Sequence, residues 1–131
     1  MRVVFAPNIL VSALIFPGGH ALRALERVTE GRDVLLISRP IIDELLRVPA
    51  REFARDAEQL SRLAVSLAEL GETVEPGGRI NILKDDPDDR ILECAQAGIA
   101  DAIVTGDHAM LALRKFGNCR VLRLRAYLAE P

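Results

Sequence analysis

Val3-Val4-Phe5-Ala6-Pro7-Asn8-Ile9-Leu10-Val11-Ser12-Ala13-Leu14 is the stretch whose reading decides the fold. Val3, Val4 and Phe5 read as a short buried strand, and Asn8 as the cap of a helix carrying Ile9, Leu10, Ala13 and Leu14. A strand that runs straight into a helix aims the helix N-terminus at the strand's carboxyl end. In an open α/β sheet that is where chemistry sits. Ala6 is placed to face such a site, and a methyl group can do no chemistry there.

Outward from this stretch, Pro17-Gly18-Gly19 breaks the first helix. A second helix is predicted over 21–30, with Ala21, Leu22, Leu25 and Val28 on one side and Gly31 as its C-terminal cap. Val34 to Ile37 is a second buried strand, and Ser38 and Pro40 start a helix as cap and early turn. That helix carries Ile41, Ile42, Leu45, Leu46 and Val48 until Pro49 interrupts it. A longer helix follows from Arg51 to Leu70, its apolar residues Phe53, Ala57, Leu60, Leu63, Ala64, Leu67 and Leu70 at helical spacing, and Gly71 ends it. Thr73-Val74 reads as a short strand, and Ile80 and Ile82 alternate with polar residues as in an extended segment. The Asp-rich run at 85–89 opens the next helix, with Asp86 as cap and Pro87 at the first helical position, and Gly98 closes it. Ala102-Ile103-Val104 is a buried strand, 108–115 a short helix, Cys119 to Leu122 the last strand and Arg125 to Leu128 a final helical turn. Strands alternating with helices predict a mostly parallel sheet covered on both sides.

A chain of 131 residues with 50% hydrophobic content suits a single domain, residues 1–131, with a full core. Its 17 basic and 19 acidic residues give a formal charge of -2, so no overall positive field draws nucleic acid, although a local patch could. Cys94 and Cys119 each lie in apolar context and read as free buried thiols, which points to a cytoplasmic protein. The opening residues form a strand pattern rather than a signal peptide, and no apolar run is long enough to span a bilayer.

Three carboxylates stand out. Glu44 lies three residues after Ile41 and one before Leu45, so it shares the inward side of its helix, whereas Asp43 faces water. An inward carboxylate costs desolvation unless it is paired or binds a metal, and the plainer reading seats it at the rim beside an arginine. Asp88 lies on the packing side at a helix N-terminus, before Ile91, Leu92 and Ala95. Asp89, in the third helical position, is read as structural, closing a capping box or favouring the helix dipole. Four acids in five residues also make an ordinary capping loop. Asp107 ends a buried strand, two residues after Thr105, and can serve a site, cap the helix from His108, or do both. His108 has only His20 as a histidine partner in the whole chain, so a histidine-based zinc site is poorly supported. Carboxylates from several element ends suit the hard cations magnesium and manganese, which can activate water and neutralise a phosphodiester. Close like charges otherwise gain a proton or recruit an arginine.

Together these features resemble the PIN-domain family of metal-dependent ribonucleases, most closely the toxin components of prokaryotic toxin–antitoxin pairs. Asn8 to Ala13 match the apolar helix after the family's opening strand, with Ser12-Ala13 as its Ser-Ala pair. Glu44-Leu45 match its Glu-Leu pair, Asp88 its aspartate-rich turn, and Thr105-Gly106-Asp107 its strand-end Thr-Gly-Asp. The resemblance implies a three-layer α/β/α sandwich and magnesium or manganese held by Glu44, Asp88 and Asp107, with Asn8, Ser12, Thr105 and Asp89 in support. It also implies RNA as substrate, a small antitoxin as partner, and a homodimer.

The chain departs from the family at three positions. The first catalytic aspartate falls on Ala6, the threonine after it on Pro7, and a further aspartate on Ala109. One inactivating substitution accounts for Ala6 but not for Pro7. Two function classes follow: an endoribonuclease weakened by the missing ligand, or an inactive PIN-like module that binds RNA or protein. A plain α/β domain without such a site is the third reading.

Overall fold

The structure, a computed structural model, describes residues 1–47, 57–84 and 86–131. Val48, Pro49, Arg51, Phe53 and Asp85, all part of the sequence reading, lie outside the described residues.

Strand β1 (Arg2–Phe5) lies between β2 (Val34–Ile37) and β4 (Ala102–Val104), parallel to both, with Val3 beside Leu35 on one side and Ala102 on the other. Val3, Val4 and Phe5 are at most 1% exposed, as a strand buried on both faces requires. The six-stranded order is β3-β2-β1-β4-β6-β5, where β3 is Glu72–Thr73, β5 Lys115–Phe116 and β6 Cys119–Leu122. Every pairing is parallel except that of β5 with β6.

Among the described residues seven helices cover the sheet: α1 (Pro7–Ile15), α2 (His20–Thr29), α3 (Arg39–Leu46), α4 (Ala57–Leu70), α5 (Asp86–Gly98), α6 (His108–Leu111) and α7 (Leu124–Leu128). The result is the three-layer α/β/α sandwich expected from the alternation of elements. The core joins Phe5, Leu10, Leu36, Leu45, Leu92, Ile103 and Tyr127 from strands and helices alike. No single described helix is long and apolar enough to cross a membrane; α1 and α2 meet the length and composition only as a pair bent by 103°.

Several local expectations change. Helix α1 begins at Pro7, one residue before Asn8, and Ala6 occupies its cap position without a side-chain hydrogen bond. Pro7 explains the shift, because its fixed φ and missing N–H suit the first helical position. Asp86 lies within the first turn of α5 rather than before it. Strand β3 falls on Glu72–Thr73, one residue earlier than Thr73-Val74. Ile80 and Ile82 belong to no strand; side chains of α5 hold this segment instead. The helix predicted over 108–115 stops at Leu111. Leu113 and Arg114 donate their amides to the carbonyls of Met110 and Leu111, and Lys115–Phe116 then turns back on β6 through Gly117-Asn118, with Gly117 at φ 63°. A two-residue Gly-Asn hairpin loop carries a sequence signal, but the strand before it is only two residues long.

Candidate active site

Strands β1 and β4 run parallel, so Ala6 and Thr105 emerge from the same carboxyl end of the sheet. The Ala6 amide donates to the Val104 carbonyl at 3.0 Å, fixing one exit against the other. Here Ala6, Asn8, Glu44, Asp88, Thr105 and Asp107 line one cleft of 170 Å³, with Pro7, Pro87 and Ile91 completing its wall. Glu44, Asp88 and Asp107 thus line the same cleft as Ala6.

Each arrives by a different local device. Glu44 projects from α3, whose residues Ile41 and Leu45 are buried in the core. Its carboxylate is half-exposed and accepts from Arg47 at 2.9 Å, on a guanidinium that is itself 70% exposed. Such an exposed pair is worth at most about 1 kcal/mol, so it does not lock Glu44 out of the cleft. Glu44 thus sits at the rim beside an arginine, on the wall of the cleft. Asp43 instead sits beside the exposed Arg39 at 4.0 Å. Asp88 stands in the first turn of α5, where the helix dipole favours an anion.

Asp107 follows Thr105 through a tight turn in which the Asp107 amide donates to Thr105 Oγ1 at 3.1 Å. Asp107 Oδ2 accepts the Met110 amide at 2.9 Å and caps α6, while Asp107 also lines the cleft. The capping reading of this residue is met, and its Oδ1 is left for the cleft side of the turn.

Two residues assigned supporting places lie elsewhere. Ser12 is partly buried on α1 and does not line the cleft. Asp89 is 2% exposed, and its Oδ1 accepts the amides of Ile82 and Leu83 at 3.2 and 2.9 Å. One turn on, Glu93 accepts the Ile80 amide at 2.7 Å and pairs with Arg90 at 2.9 Å. These two acids hold the segment that leads into α5, and with it the placement of Asp88. Glu93 was not singled out in the sequence because its partner, a backbone amide, has no side-chain signature. Pro87 and Ile91 were likewise read only as helix start and core.

The donor set, three carboxylates and the Asn8 amide, is of the kind hard cations take. Its spacing does not amount to a ready metal shell: among the described residues no three His, Cys, Asp or Glu side chains are gathered to hold one ion. What the cleft offers is a concentration of negative charge with an apolar gap at Ala6.

Comparison with known proteins places this geometry. A curated protein of Methanocaldococcus jannaschii, "Uncharacterized protein MJ1680", is 25% identical over 118 residues, covering 87% of this chain and 76% of that one. Among solved structures, VapBC2 from Rickettsia felis, bound to a DNA fragment from its promoter, matches with a TM-score of 0.63 and 17% identity over 94% of this chain and 98% of that chain. The T. brucei RRP44 PIN domain matches at a TM-score of 0.46 and 17% identity, over 98% and 79% of the two chains. The PIN domain family model matches residues 2–109, from the first strand through the Thr-Gly-Asp turn. That span takes in every residue that lines the acidic cleft, and the chain belongs to the PIN domain family.

Proposed function

We propose that this chain is a metal-dependent nuclease of endoribonuclease type, weakened by Ala6, and that it serves as the toxin of a toxin–antitoxin pair. The observation that carries this reading is the convergence of Glu44, Asp88 and Asp107 on one cleft beside Ala6. In this reading those three carboxylates hold magnesium or manganese, with Asn8 and Thr105 shaping the site. A cation there would supply charge neutralisation and an activated water. Without a carboxylate at position 6 the binding is weak and RNA cleavage is slow or absent. A misplacement of about 1 Å already costs roughly a hundredfold in rate.

Manganese calorimetry and cleavage of a mixed RNA pool, run on the unaltered chain and on Ala6→Asp, test this. Ala6→Asp is expected to raise manganese affinity by roughly tenfold or more, on the scale of one added charged ligand, and to increase cleavage. Unchanged metal affinity in that variant would remove the basis of the reading. Efficient cleavage by the unaltered chain, lost in Glu44→Gln, would instead show that residue 6 is dispensable.

The second reading, a PIN-fold module that binds RNA or protein without cutting, is favoured by the absence of a three-ligand metal group among the described residues. It predicts RNA binding that persists in EDTA and no cleavage even by Ala6→Asp. We further assign the chain to the cytoplasm, in keeping with its two free thiols, and to a homodimer folding as one unit over residues 1–131. A small antitoxin is proposed as partner on the fold likeness to VapBC2.

A further inference from the structure

We propose that the cavity sharing the 105–108 turn with the acidic cleft is a phosphate-binding subsite for single-stranded RNA, built on Arg114 and Arg123; this rests on the nuclease reading above. The cavity measures 540 Å³ and is lined by Gly106, His108, Leu111, Ala112, Arg114 and Arg123. It contains two guanidinium groups and no carboxylate. Thr105 and Asp107 line the acidic cleft while Gly106 and His108 line this cavity, so one turn separates the opposite charges.

The two arginines share with Arg23, Arg32 and Arg125 a side chain without an ion pair among the described residues, and differ from these in lining the cavity beside the cleft. Arg27, Arg47, Arg90 and Arg120 each pair with a carboxylate. Arg114 and Arg123 are exposed, and among the described residues neither side chain makes an ion pair or hydrogen bond. Their backbones are nonetheless fixed. Arg114 sits at φ 60°, a left-handed conformation unusual for a residue other than glycine, asparagine or aspartate, and its carbonyl accepts from the Val121 amide at 2.8 Å. Arg123 follows β6 directly, and its carbonyl accepts from the Tyr127 amide at 3.0 Å. Two unpaired guanidinium forks on ordered backbone suit phosphate oxygens, which they can grip in bidentate fashion.

The chemistry of the lining points to a nucleic-acid backbone. No Phe, Tyr or Trp lines the cavity and His108 is its one ring, so its two arginines suit it to hold phosphate and sugar rather than to read sequence. The acidic cleft repels phosphate until a cation is present. A strand held by the arginines would thus place a neighbouring phosphate at the cleft without relying on the metal for binding. With a formal charge of -2, the whole chain offers no general attraction, and a local pair of cations has to supply it.

The test is fluorescence anisotropy with a labelled mixed-sequence single-stranded RNA, in EDTA, across a salt series, on the full chain. Arg114→Gln/Arg123→Gln is expected to lose about tenfold or more in affinity. Its slope of log affinity against log salt should fall by about 1.4, for two phosphate contacts on a single strand. Arg114→Lys/Arg123→Lys should keep most of the affinity, and Arg32→Gln, on another surface, should keep all of it. Unaltered affinity and slope in the double glutamine variant would overturn the subsite while leaving the cleft reading intact. Equal competition by a polyglutamate peptide would also overturn it, marking the cavity as a site for an acidic protein. Failure of the cleft reading shows separately, as no gain in manganese affinity on Ala6→Asp.

Discussion

At position 6 an aspartate would do two jobs. It would cap α1, which now has no side-chain acceptor at its first turn, and it would add a charged ligand to the cleft. Capping alone is worth about 1 kcal/mol. A fourth carboxylate crowded beside Glu44, Asp88 and Asp107 opposes that gain unless a cation is present. The melting temperature of Ala6→Asp should therefore depend on manganese more steeply than that of the unaltered chain, which scanning calorimetry in EDTA and in manganese measures. Asp33 shows the opposite solution to a buried charge. Burial pushes its pKa up, but hydrogen bonds from the Met1 ammonium, the Tyr127 hydroxyl and Arg27 outweigh this and hold it below the usual carboxylate range. A carboxylate so depressed stabilises the fold above the ordinary carboxylate pKa, and that contribution fades as pH falls through the lowered value. Tyr127→Phe should cost about 2 kcal/mol near pH 7, as for a hydrogen bond to a charged group. The cost should shrink below about pH 4, where the unfolded-state carboxylate gains its proton, as urea titrations across that range would reveal. The two thiols are buried as well. Burial raises Cys94 and Cys119 to about 11, so neither should react with a thiol reagent at pH 8 until the chain is denatured.

Helix α5 carries more of the site than its single cleft carboxylate. Its Asp89 and Glu93, one turn apart, take three amides from residues 80–83, and Arg90 donates to the Ile80 carbonyl at 2.8 Å. A carboxylate in either place answers part-buried backbone donors of this segment. Asp89→Ala is expected to destabilise by about 2 kcal/mol, on the scale of lost hydrogen bonds to a charged group, and to loosen residues 80–84 first. Its other end is fixed by close packing. A Cβ added at Gly98 would lie 2.6 Å from Leu36 Cδ1, on a side chain that is 0% exposed in the sheet core. The backbone advantage of alanine over glycine, at most about 1 kcal/mol, opposes an overpacking cost of about 1–3 kcal/mol. Gly98→Ala should thus be net destabilising by about 1 kcal/mol, read by chemical denaturation, and Leu36→Ala in the same background should relieve the clash while opening a cavity.

Across the molecule, stability is graded from the middle of the sheet outward. Amides of β1 and β4 lie between neighbouring strands and under helices, whereas β3 and β5 are edges of two residues each. Hydrogen exchange should therefore be slowest in β1 and β4 and should proceed through local opening at β3 and β5. The centre of this gradient was legible in the sequence. Val3-Val4-Phe5 and Ala102-Ile103-Val104 are apolar without alternation, and such runs belong to strands covered on both faces. The helix period put Glu44 on the side of α3 that lines the cleft, but in α5 the buried acid is Asp89, at 2% exposed, and Asp88 is only partly buried. The two-residue strands and the segment held by Asp89 and Glu93 were not legible. Their order comes from hydrogen bonds to residues distant in sequence, which leave no local period. The sequence by itself determined the strand–helix alternation and the methyl group at position 6, since both follow from local spacing and side-chain chemistry. Only the tertiary structure decided that Ala6 opens onto the same cleft as Glu44, Asp88 and Asp107, and that Arg114 and Arg123 line a second cavity across the 105–108 turn. Parallel strand pairing sets which chain exits share an end of the sheet, and no local pattern encodes that.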